Sequence, residues 1–207
     1  MCDIAAFIGQ PSREDMKSLF LKTGSKNRDA TGVAFRHPDT LRVLKSPGPA
    51  YRFVEDEKWA RFYDESADSL NVGLVHSRIA THGDPDDNVN NHPHYTKDGS
   101  VLVHKGVVTP TEEYKSMSVC DSEQILLSLE DRGLEEGVGN CPGWMHLFYI
   151  KAEDPSTLWA FSNSGHIQVW DNEGVKYFST AHSRTLGQGI LFTGEKLPLD
   201  QWVGFDT

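Results

Sequence analysis

Cys2 directly follows Met1, and a cysteine is small enough for the aminopeptidases that trim an initiator methionine. Loss of Met1 would leave a thiol and a free α-amine on one residue. Their ordinary pKa values, about 8.5 and about 7.7–8.0, let the amine serve as base for the thiol near neutrality. Such a nucleophile opens an amide only with help: an oxyanion stabiliser, and groups that hold the substrate's charged ends. Arg78 offers a guanidinium whose fork matches a carboxylate. Asp121 stands at the head of an expected helix, as receiver of an ammonium or as a plain N-cap. Gly106 can offer a backbone N–H to an oxyanion.

The densest polar cluster runs from His76 to His94, with His104 beyond it. His92 and His94 could bring two imidazoles to one metal, completed by Asp84, Asp86 or Asp87. The spacing matches no zinc pattern, and Arg78 puts a cation among the candidates. The expectation is that these histidines satisfy loop hydrogen bonds, with no metal and no cofactor.

The elements that must position these residues belong to an ordinary globular chain. It has 207 residues, 38% of them hydrophobic and 24% charged, enough to bury one sizeable core. A formal net charge of −10 argues against nucleic acid as partner. Cys2, Cys120 and Cys141 make an odd count without a secretory signal, the pattern of reduced thiols in a cytoplasmic protein. Cys120 and Cys141 read as structural thiols. No apolar stretch approaches membrane-spanning length, so no membrane partner is expected.

Asp3 to Gly9 reads as a buried strand beginning immediately after Cys2. Ser12 with Asp15 predicts a capped helix carrying Met16, Leu19 and Phe20. Thr31–Phe35 and Leu41–Leu44 predict paired strands around a turn at 37–40. Gly48-Pro49 opens a predicted helix with Phe53, Trp59, Phe62 and Tyr63 on its apolar face. Asn71–Ser77 and Val101–His104 read as strands on either side of a polar loop, Thr81–His94. Asp121–Leu129 reads as a helix. Short strands then follow at 145–150, 158–161, 167–170 and 176–179, with one more within 197–205. No linker or repeat interrupts the chain, so residues 1–207 are read as a single α+β domain.

After Cys2 come, in order, Lys26 to Gly32; His76-Ser77-Arg78-Ile79-Ala80-Thr81-His82-Gly83; Asn91-His92-Pro93-His94; Val103-His104-Lys105-Gly106-Val107-Val108; and Asp121-Ser122-Glu123. These five runs in this order resemble one family, the class II glutamine amidotransferases, and within it the glutaminase domain of glucosamine-6-phosphate synthase. The resemblance implies a four-layer α-β-β-α sandwich of the N-terminal-nucleophile hydrolase type, two antiparallel sheets flanked by helices. It also implies that Cys2 attacks the side-chain amide of L-glutamine, releasing glutamate and ammonia through a γ-glutamyl thioester. Arg78 would take the α-carboxylate and Asp121 the α-ammonium. The Thr81–His82 backbone would line the pocket, Gly106 would donate to the oxyanion, and Lys26 would stand in the substrate loop.

Three departures from the family pattern stand out. Lys105 replaces an Asn whose amide is a second oxyanion donor, and Asp3 replaces a Gly after the nucleophile. Lys26-Asn27 replaces Arg-Gly, with Asn27 suited to a left-handed backbone. Two other readings stay open: an amidase for another γ-glutamyl compound, and a non-catalytic interaction subunit that keeps the fold. Because the domain uses nearly the whole length, the ammonia acceptor is expected to be a separate protein or water.

Overall fold

The computed structural model describes residues 2–37, 39–67, 70–181, 185–186, 190–191 and 195–207. Met1, whose removal the nucleophile reading requires, and Pro38 of the expected turn lie outside the described residues. The chain runs β1 (Asp3–Ile8), α1 (Arg13–Thr23), β2 (Ala30–Arg36), β3 (Leu41–Pro47), α2 (Ala50–Phe53), α3 (Glu57–Asp64) and β4 (Val72–Arg78). After a short 3-10 turn at Asn88–Asn90 come β5 (His94–Tyr95), β6 (Val101–Val108), α4 (Asp121–Arg132) and α5 (Leu134–Gly139). The strands β7 (Gly143–Lys151), β8 (Asp154–Ser162), β9 (Gln168–Asn172) and β10 (Val175–Ser179) follow. The two-residue strands β11 (Thr185–Leu186), β12 (Ile190–Leu191) and β13 (Glu195–Lys196) precede β14 (Trp202–Asp206).

One antiparallel sheet has the order β13-β9-β10-β1-β4-β2-β3 and the other β14-β8-β7-β6-β5. Their period-two patterning sorts side chains into three cores. Ile4 and Ala6 of β1 point between the sheets, where they meet Leu74, Val101, Val103, Phe148 and Phe178. Ala5 and Phe7 point the other way, toward Met16, Leu19 and Phe20 of α1 and Trp59 and Phe62 of α3. On the far side of the second sheet, Leu102, Leu147 and Tyr149 pack against Ile125, Leu126 and Leu129 of α4. Helices therefore cover both outer faces, as the four-layer expectation required.

The capping box predicted at Ser12 is formed: its hydroxyl accepts the Asp15 N–H at 3.1 Å. The single helix expected after Pro49 is instead two. The Asp56 carboxylate accepts the Lys58 N–H at 2.8 Å and starts α3 afresh, so α2 stops at one turn. Asn27 is not left-handed; among the described non-glycine residues only Glu173 and Asp200 have positive φ. Its side-chain amide instead donates to the Thr23 carbonyl at 3.0 Å, closing the end of α1. Strand β6 also runs on past His104 to Val108, which sets Gly106 within the sheet opposite Met145.

Candidate active site

Strand β1 lies between β4 and β10, with Asp3 registered against Ser77 of β4. Cys2 therefore emerges at the end of β4, next to Arg78. Its thiol donates to the Ile79 carbonyl at 3.3 Å, and the Ile79 N–H points back to Sγ at 3.4 Å. Burial pushes the thiol pKa up; the Ile79 N–H and the Arg78 guanidinium work against that, and the Asp3 carboxylate adds to it.

Arg78 is buried. Its Nη1 donates to Asn91 Oδ1 at 2.7 Å, while Nη2 donates to the His82 carbonyl and, at 3.2 Å, to the Gly83 carbonyl. The Cys120 sulfur is 3.7 Å from the same Nη2, and its thiol donates to the Asn90 carbonyl at 3.2 Å. Thr81 and His82 are exposed at the turn after β4, with the imidazole Nδ1 3.2 Å from the Thr81 hydroxyl. Lys26 is exposed. The residue of its loop that reaches the site is Asp29, whose carboxylate accepts the Ala80 N–H at 2.7 Å and whose N–H donates to the Arg78 carbonyl at 3.1 Å.

The second sheet supplies the opposite wall. A Cβ on Gly106 would lie 2.1 Å from the Trp144 carbonyl oxygen and 2.5 Å from His104 Nε2, so no side chain fits there. Lys105, directly before it, reaches across the sandwich to Asp3: Nζ to Oδ1 is 2.7 Å, with the two side chains only 9% and 16% exposed. The Thr180 hydroxyl donates to the same carboxylate oxygen at 3.3 Å. Asp121 is the first residue of α4, with Cys120 in the cap position, so the plain N-cap role does not apply. Its Oδ2 accepts the Val108 N–H at 3.1 Å, tying the helix start to β6 two residues beyond Gly106.

His76, His92, His94 and His104 are all buried. The His76 and His92 rings stack with centroids 3.9 Å apart, and His104 Nδ1 is 2.9 Å from the Ser122 hydroxyl. Burial lowers the pKa of each, to about 3 for His76 and about 4 for His104. Asp84 and Asp87 instead bind backbone N–H groups of their own loop. Among the described residues no group of three or more His, Cys, Asp or Glu side chains is set to hold a metal. A surface cavity of about 370 Å³, lined by Arg36, Tyr95 and Lys97 among others, shares no residue with the Cys2 cluster.

Sequence reasoning assigned no role to Asn91 or Asp29 and read Cys120 only as a structural thiol. Asn91 falls within the motif run around His92, and Cys120 directly precedes Asp121. Those positions were the available signals. Among the described residues, no helix is long and apolar enough to cross a membrane.

No family model matches the chain. A glutamine–fructose-6-phosphate aminotransferase (isomerizing) of Staphylococcus aureus is 32% identical over 202 residues, covering 87% of this chain and 32% of the relative. The enzyme of the same name from Bacillus thuringiensis subsp. konkukian is 30% identical over 191 residues, covering 82% and 30%. The chain thus spans about a third of the length of the curated relatives it matches. The glutamine phosphoribosylpyrophosphate amidotransferase of B. subtilis superposes with a TM-score of 0.61 over 86% of this chain and 41% of its own, at 9% identity. A structure of the allosteric regulatory enzyme of purine biosynthesis gives 0.63 over 86% and 42%, at 11% identity. These two likenesses concern the fold. With that fold, and with sequence likeness over most of its length, the chain belongs to the class II glutamine amidotransferase domain family.

Proposed function

We propose that this domain hydrolyses the side-chain amide of L-glutamine with Cys2 as nucleophile, once Met1 has been removed. The observation that carries the reading is the Cys2 thiol at the junction of the two sheets, hydrogen-bonded to Ile79 beside the buried Arg78. The α-amine takes the thiol proton, and sulfur attacks the amide carbon. The tetrahedral oxyanion is met by the Gly106 N–H, with the Lys105 ammonium nearby. Nitrogen leaves as ammonia after accepting a proton, and water cleaves the γ-glutamyl thioester to glutamate, regenerating the thiol.

Arg78 binds the α-carboxylate and Asp121 the α-ammonium, with Thr81 and His82 bordering the pocket. Lys26, exposed on the adjoining loop, contributes charge rather than contact. Ammonia passes to water or to an acceptor substrate. The buried Asp3–Lys105 pair is the feature that favours a second reading, a fold-retaining subunit without turnover.

Glutamine incubated with the purified protein should yield glutamate and ammonia in equal amounts, and Cys2→Ala should abolish both. No product from well-folded, Met1-processed protein would favour the second reading.

A further inference from the structure

Asp3 and Lys105 come from different sheets and meet directly beside Cys2, where the Asp3 carboxylate acts on the thiol together with the Arg78 guanidinium. Asp3 is the next residue along β1, and its carboxylate acts to raise the thiol pKa. Lys105 closes an ion pair on that carboxylate at 2.7 Å, and its Nζ lies 3.5 Å from the Thr180 carbonyl. Thr180 Oγ1 accepts the Ile4 N–H at 3.1 Å, so the clamp also fixes the backbone one residue further on. Two opposite charges held this close act on a third group as a dipole, whose field fades faster than that of either charge alone. Both side chains are nearly buried, so water screens the surviving charge poorly if one partner is removed.

We propose that Asp3 and Lys105 form a charge-neutral clamp that positions Cys2 and sets its reactivity. Asp3 is thus a positioning residue of the site, and Lys105 acts on the thiol through it. The inference rests on the reading of Cys2 as nucleophile. The other groups facing the thiol are Arg78 from β4, Cys120 from the start of α4 and, once Met1 is gone, the α-amine of Cys2 itself. None of these changes in the variants below.

The test is the pH dependence of Cys2 alkylation by iodoacetamide, located by peptide mass. It uses the whole chain as processed in cells and does not require turnover. Lys105→Met leaves the carboxylate unpaired and should move the alkylation profile up by about one pH unit; Asp3→Asn leaves the ammonium unpaired and should move it down by a similar amount. The double variant should return close to the parent profile, and Lys105→Arg, which keeps the pair, should match it.

Shifts of the same sign in both single variants, or none in either, would overturn the clamp; a double variant that fails to return would do so too. Asp3→Asn preserves side-chain shape and carries the test by itself if Lys105→Met does not fold. Opposed shifts in a protein that never hydrolyses glutamine would uphold the clamp and sink the proposed function. Turnover without shifts would do the reverse.

Discussion

Arg78 spends its guanidinium on several protein acceptors at once: the Asn91 side chain and the carbonyls of His82 and Gly83. A lysine ammonium has no planar fork with which to span them. Arg78→Lys is therefore expected to raise KM for glutamine at least about tenfold, with a smaller change in kcat, because a ground-state contact is lost. Unchanged KM in steady-state assays would remove Arg78 from the carboxylate role. Asp121→Asn keeps an oxygen for the Val108 N–H but loses the charge proposed to receive the ammonium. KM should again rise about tenfold or more, with the thermal midpoint little changed; a large fall in the midpoint would mark Asp121 as structural. Cys2, Arg78 and Asp121 could be singled out in the sequence as candidates, ambiguous one by one and pointed to together by the family's motifs. Asp29 was not, since its contacts with Ala80 and Arg78 cross about 50 residues and exist only after folding. Asn27 would suit a left-handed backbone, but it does not adopt one, and its amide closes the end of α1 on the Thr23 carbonyl.

At the scale of elements, the site is the meeting of three ends: the start of β1, the end of β4 and the start of α4, all facing β6. The first turn of α4 is fastened by three consecutive side chains. Asp121 accepts from Val108, Ser122 meets His104, and Glu123 accepts the Met117 and Ser118 N–H groups at 3.1 and 2.6 Å. Acidic groups here also suit the positive end of the helix. Glu123→Ala would strand those donors at a cost of about 1–3 kcal/mol. A lower denaturant midpoint and weaker glutamine binding are expected; an unchanged midpoint would show that the 116–120 segment holds without Glu123. Helix α4 was readable from Ile125, Leu126 and Leu129. The split of the 48–63 segment was not, because its aromatic spacing runs through both pieces and only the Asp56 cap breaks it. Strand β6 was read too short because Lys105 and Gly106 interrupt its apolar pattern, one for its ion pair and the other for close approach to Trp144.

Taken as a molecule, the sandwich closes over buried histidines that contribute neutral rings. Their pKa values lie below the ordinary 6.5, His76 at about 3 and His104 at about 4, so the unfolded chain takes up protons first as pH falls. Stability is thus fully present above about pH 6.5 and declines as pH drops from there toward the folded values. Urea midpoints should fall clearly between pH 7 and pH 5.5; constant midpoints would mean that the rings are solvated. Four layers could not be derived from strand and helix patterning, since alternation assigns two faces to a strand but not its neighbours. The family resemblance supplied that architecture, and the opposed Ile4/Ala6 and Ala5/Phe7 pairs of β1 are its physical basis. The central claim, a processed Cys2 that attacks a glutamine amide, is met most directly by intact-mass analysis of protein expressed in cells, before and after an electrophilic glutamine analogue. Loss of the Met1 mass and one adduct mapping to Cys2 is the predicted result. Retained Met1, or no adduct on a folded sample, would contradict it.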